Sequence, residues 1–74
     1  MDQHNLNSME LFIWKKIYGA DDHRISCSKL IREARAQPFY SATIYRQALM
    51  SLKDDDIIRR AGKYAQSKWT LTSG

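Results

Sequence analysis

The chain is poor in the residues that staple, break or bend a fold. Cysteine occurs once, at Cys27, so no disulfide can form within these 74 residues. A disulfide-framed secreted domain is thereby excluded. Proline occurs once, at Pro38, and glycine three times. No linker, internal repeat or low-complexity tract divides the chain, so residues 1–74 are expected to form one domain around one core. No apolar run approaches the roughly 20 residues that span a bilayer, and no membrane partner is expected. The opening MDQHNLNSM has neither the basic nor the apolar region of a signal peptide, so a cytoplasmic location is expected. No nucleophile–base pair, glycine-rich phosphate loop or paired catalytic carboxylates stand out. An enzyme is not expected, and neither is a cofactor. His4 and His23 lie far apart with no second ligand cluster, so no metal site is expected either. Asp54-Asp55-Asp56 is read as a solvated, turn-forming acidic run rather than a magnesium site.

What is present is basic charge, unevenly placed. The net charge is +4. Residues 1–23 set Lys15 and Lys16 against Asp2, Glu10, Asp21 and Asp22, and are acidic overall. Residues 57–74 carry Arg59, Arg60, Lys63 and Lys68 and no acid at all. That asymmetry favours a polyanionic partner for the C-terminal third.

The hydrophobic period gives the elements. Residues 1–7 are polar and expected to fray. Ser8 is the expected N-cap of a first helix, with Met9, Phe12, Ile13, Lys16 and Ile17 on one face. Leu11, Trp14 and Tyr18 flank that face, and Gly19 ends the helix. Arg24-Ile25 is a short edge strand. Ser26 caps a second helix, with Leu30, Ile31 and Ala34 inward, and Pro38 stops it. Ser41 caps a third helix with Tyr45, Leu49 and Leu52 inward, widened by Ile44 and Ala48. After Asp56 the period changes to two. Ile57 to Arg60 reads as a strand, Ala61-Gly62-Lys63 as a turn, and Tyr64 to Thr72 as a second strand. Trp69 and Leu71 are expected to point one way, Lys68, Thr70 and Thr72 the other. The expected fold class is mainly α with a small β-hairpin, in the order α-β-α-α-β-β.

Two helices joined by a short turn, the second followed at once by a basic hairpin, form a specific ordered set. From Ile25 to Thr72 the chain resembles a winged helix-turn-helix DNA-binding domain of the bacterial or phage type. The residues that carry the resemblance are Ile25-Ser26, Leu30-Ile31, Ser41 through Arg46, Leu49, Leu52, Ile57-Ile58 and Trp69 through Thr72. They cover about two-thirds of the chain. One departure stands out: the family usually has a glycine before the hydrophobic pair that opens the hairpin, and this chain has Asp56. Aspartate tolerates a left-handed backbone better than most residues, so the turn can still form.

The resemblance implies a sequence-specific double-stranded DNA-binding protein, a small transcriptional regulator. The third helix would enter the major groove and offer Ser41, Thr43, Arg46 and Gln47. The wing would carry Arg59, Arg60, Lys63, Tyr64 and Lys68 to the backbone or minor groove. Bound to DNA, such a protein would be nucleoid-associated. The competing reading is a protein-interaction module. The first helix is richer in large apolar residues than one narrow stripe needs, so Phe12, Trp14 and Tyr18 are candidates for a homodimer or partner surface. RNA is the weaker nucleic-acid option, because no aromatic platform interleaves the basic residues. Cys27 is read as a small, semi-buried residue rather than a redox sensor.

Overall fold

The computed structural model describes residues 3–62 and 67–72. Its elements are α1 (Gln3–Tyr18), a 3-10 turn (Asp21–His23), β1 (Arg24–Ser26), α2 (Cys27–Arg35), α3 (Ala42–Asp54), β2 (Ile58–Ala61) and β3 (Lys68–Leu71). This is the expected order of three helices, an early edge strand and a closing hairpin. The strands form one antiparallel sheet in the order β1-β3-β2. The core lies between the three helices and one face of that sheet.

Helix α1 starts at Gln3, so Ser8 is an interior position and not the expected N-cap. The reason is Leu6, which packs against the core and extends the Met9, Ile13, Ile17 stripe one turn upstream. Those three residues are fully buried. The far end falls where expected, with Gly19 just past Tyr18, but the turn is made differently. The left-handed residues that turn the chain are Asp22 (φ 58°) and His23 (φ 54°), not Gly19. His23 replaces a glycine cap by other means: its Nδ1 lies 2.7 Å from the Tyr18 carbonyl oxygen. That contact serves one of the unpaired carbonyls at the helix end.

Both expected serine caps are in place. The Ser26 hydroxyl accepts from the Lys29 N–H at 3.1 Å, and the Ser41 hydroxyl accepts from the Ile44 N–H at 3.0 Å. Helix α2 buries Leu30 and Ala34 and half-buries Ile31. Lys16 on α1 ties it down from outside, with Nζ 3.0 Å from Glu33 Oε1. Lys16 holds the Glu33 carboxyl below its ordinary value of 4.5. A depressed carboxylate adds stability above its unfolded value and loses it as the pH falls through the folded one. The pair is well solvated, so the effect is small. Lys16→Met is expected to remove it. Urea midpoints for the variant and the parent should differ at about pH 6 and converge near pH 3.

The end of α3 explains the departure at Asp56. Ile57 N–H donates to Leu52 O at 2.9 Å, and Asp56 N–H donates to Lys53 O at 3.0 Å. These two bonds are the Schellman pattern, which needs a left-handed residue between helix and exit. Asp56 supplies it, with φ 61°. Ile57 is therefore spent on the helix exit, and the strand begins one residue later than expected, at Ile58. Asp56→Val is expected to cost about 1–2 kcal/mol, since a β-branched residue tolerates this region poorly. Asp56→Gly should leave stability equal or slightly higher. A shift in urea midpoint at constant m-value would read both.

Gly62 takes φ 87°, the positive value expected in the hairpin turn. Of the residues expected to build the tip, Lys63 and Tyr64 lie outside the described residues. Among the described residues of the expected second strand, β3 covers Lys68–Leu71. It is the central strand. Thr70 is buried, 6% exposed, although it lies on the sheet face away from Trp69. Its neighbours across the ladder are Arg24 on β1 and Arg59 on β2. Long arginine stems can cover such a position while their charged ends stay in water.

Candidate nucleic-acid interface

The geometry of α3 decides what it offers. Ile44, Tyr45, Ala48 and Leu52 turn into the core, leaving Thr43, Arg46 and Gln47 exposed on the opposite side. Ser41 differs from these three. It is half-buried, and its oxygen already accepts from the Ile44 N–H, which holds the side chain in place and leaves its hydroxyl proton to donate to a ligand.

Two shallow grooves border this helix. The first runs between α2 and α3, and Arg35, Tyr40, Ala42 and Arg46 line it. The second lies where the start of α2 meets the hairpin, lined by Cys27, Ser28, Arg60 and Trp69. Both share Ile31, Tyr45 and Leu49, so they form one continuous face. That face carries Arg35 from α2, Arg46 from α3 and Arg60 from β2, and among the described residues no acidic one lines either groove. Burial raises the Tyr45 phenol above its ordinary value, with smaller contributions from Cys27 and Tyr40. Tyr45 therefore meets the grooves as a neutral hydroxyl.

Strand alternation splits the basic residues of the hairpin. Arg60 lies opposite Trp69 and belongs to the α3 face. Arg59 lies opposite Thr70, on the other face of the sheet, with Arg24 two strands away. Lys68 is two residues from Thr70 and shares that outer face, because a strand repeats every second residue. The outer row borders a separate concavity whose rim includes Asp22 and His23. The sequence reading thus assigned Arg59, Arg60 and Lys68 to one surface, and the sheet divides them between two. It also missed Arg24, Arg35 and Ser28. Arg35 had a signal, since it sits one helical turn past Ile31 on the flank that α3 packs beside. Arg24 had none, because its partners across the sheet are more than 30 residues away in sequence.

The other candidates are placed as follows. Phe12 is half-buried, edge-on to Phe39 with ring centroids 6.2 Å apart, and Lys16 Nζ lies 5.7 Å from its centroid. Trp14 and Tyr18 are exposed, and so is Leu11. Cys27 is a half-buried free thiol. Among the described residues, no three His, Cys, Asp or Glu side chains group to hold a metal. Among them too, no helix is long and apolar enough to cross a membrane.

No protein-family model matches the chain, and neither does any curated protein or solved structure.

Proposed function

We propose that this is a non-enzymatic double-stranded DNA-binding protein of the winged helix-turn-helix class, a small transcriptional regulator acting in the cytoplasm. The observation that carries the reading is the acid-free face on which three elements each place an arginine: Arg35, Arg46 and Arg60. A helix in the major groove presents its exposed N-terminal half to base edges. Here that half offers Thr43, Arg46 and Gln47, and arginine and glutamine can pair bidentately with guanine and adenine. Arg60 and the start of α2, with Ser28, line the groove beside it and are placed to contact backbone phosphates. Ser41 takes the lesser part of a cap that can donate one bond. Lys63 and Tyr64 would extend the hairpin along the backbone.

Titration of short labelled duplexes at two salt concentrations tests this. About four phosphate contacts would weaken binding roughly a hundredfold between about 50 and 200 mM salt. Failure to bind any duplex at low salt would sink the reading.

A second reading has an observation of its own. Leu11, Trp14 and Tyr18 form an exposed apolar stripe on α1, which favours a protein-docking role for that helix.

A further inference from the structure

The exposed stripe on α1 has a regular spacing. Asn7, Leu11, Trp14 and Tyr18 follow one another by four, three and four residues, the repeat of a helix that pairs with another helix. Leu11 is 53% exposed, Tyr18 47% and Trp14 37%. The ring positions are already set. Trp14 packs edge-on to Tyr18 at 4.9 Å, and Tyr18 packs edge-on to His23 at 5.0 Å. A pre-ordered aromatic surface loses less side-chain freedom on binding than a mobile one.

The two flanks of the stripe carry opposite charge. On one side a groove between α1 and the end of α3 is lined by Glu10, Trp14, Leu52, Asp55 and Ile57. On the other, a groove is lined by Ser8, Phe12, Lys15 and Phe39. Leu11 stands between the two and lines both. The acidic flank holds Glu10 and Asp55, and the basic flank holds Lys15.

We infer that this stripe is a self-association surface, and that its occupant is the α1 of a second copy running parallel to the first. The charges choose both the partner and the direction. A two-fold axis along the helices sets the acidic flank of each copy against the basic flank of the other, twice. Glu10 and Lys15 are five residues apart, the offset at which charged positions meet across a parallel pair. An antiparallel pair would set acidic flank against acidic flank and basic against basic. The same surface serves both copies, so no foreign protein has to supply the complement. The inference goes beyond the DNA-binding reading and does not rest on it. If both hold, two copies of α3 would face two half-sites.

Sedimentation equilibrium of the DNA-free protein over a concentration series tests the idea. The wild type is expected to show a monomer–dimer equilibrium. Leu11→Asp should abolish it, with the helical circular dichroism unchanged because the residue is exposed. Glu10→Lys and Lys15→Glu should each weaken it by about tenfold, since each turns two attractive contacts into two repulsive ones. The double variant E10K/K15E should recover the wild-type constant. An equimolar mixture of the two single variants should associate more tightly than either alone. In an Asn7→Cys, Cys27→Ser protein, mild oxidation should link Cys at position 7 to its own copy. A monomer at every concentration would overturn the inference. So would a double swap that fails to restore association. A dimer that resists the position-7 cross-link would overturn the parallel direction. None of these readouts involves DNA, so they stand or fall apart from the duplex titration.

Discussion

Replacing Leu30 by alanine is expected to lower the melting temperature by roughly 10–40 °C. Leu30 is fully buried, and α2 has little else to hold it. Its other buried residue is Ala34, and Ile31 is only partly covered. Truncating a buried leucine costs about 2–5 kcal/mol, because the lost contacts and the residual cavity add. A domain of this size has a total stability of about 4–11 kcal/mol. One substitution can therefore remove half of the margin. The loss matters for function because α2 also supplies Arg35 and the start of the groove beside Arg60. Thermal unfolding followed by circular dichroism would show it. A fall of only one or two degrees would mean that α2 is not anchored through Leu30.

The second large effect concerns the proposed DNA face, and it turns on the split between adjacent arginines. Arg46→Ala is expected to weaken binding to a preferred duplex by about 1–3 kcal/mol and to flatten base preference. Arg60→Ala should weaken all duplexes alike and lower the salt slope by about one phosphate. Arg59→Ala should do much less, because the sheet turns that side chain to its outer face, away from α3. All three residues are exposed, so none of the changes should unfold the domain. Duplex titrations with the three variants at matched salt would decide. Equal losses for Arg59→Ala and Arg60→Ala would move the contact surface off the α3 face and onto the hairpin as a whole. Losses for Arg59→Ala alone would place DNA on the outer row with Arg24.

The class of protein-level partner can be separated the same way. The arginine variants leave α1 untouched, and the Leu11 and Glu10/Lys15 variants leave the α3 face untouched. Self-association without DNA binding, or the reverse, would assign the two surfaces independent roles.

Much of the architecture is local and was open to a reader of the residues. Ser26 and Ser41 cap because a short hydroxyl side chain reaches the orphan N–H groups of the next turn. Helix α3 shows its exposed Thr43, Arg46 and Gln47 because a period of 3.6 leaves one side polar. Asp56 could be singled out as a left-handed candidate because a helix exit into a strand needs one residue there, and aspartate accepts it. The early start of α1 escapes such a reading, because the polar run of residues 1–7 reads as frayed although Leu6 continues the Met9, Ile13 stripe.

What the residues could not determine was set by contacts between distant segments. Strand β1 has three residues and no period to read; it exists because β3 lies beside it. That pairing makes β3 central, buries Thr70, and brings Arg24 alongside Arg59. Arg59 and Arg60 are neighbours with equal charge, and local sequence gave them equal claims on DNA. Only the register of the sheet separates them, because a strand sends successive side chains to opposite faces. Likewise Phe12 and Trp14 were equal candidates for a partner surface until Phe39 covered one and left the other open. The basic character that marks the C-terminal third is a property of the sequence. Its division into an α3 face and an outer row combines local strand alternation with tertiary packing, since only the packing of the helices decides which face of the sheet meets α3.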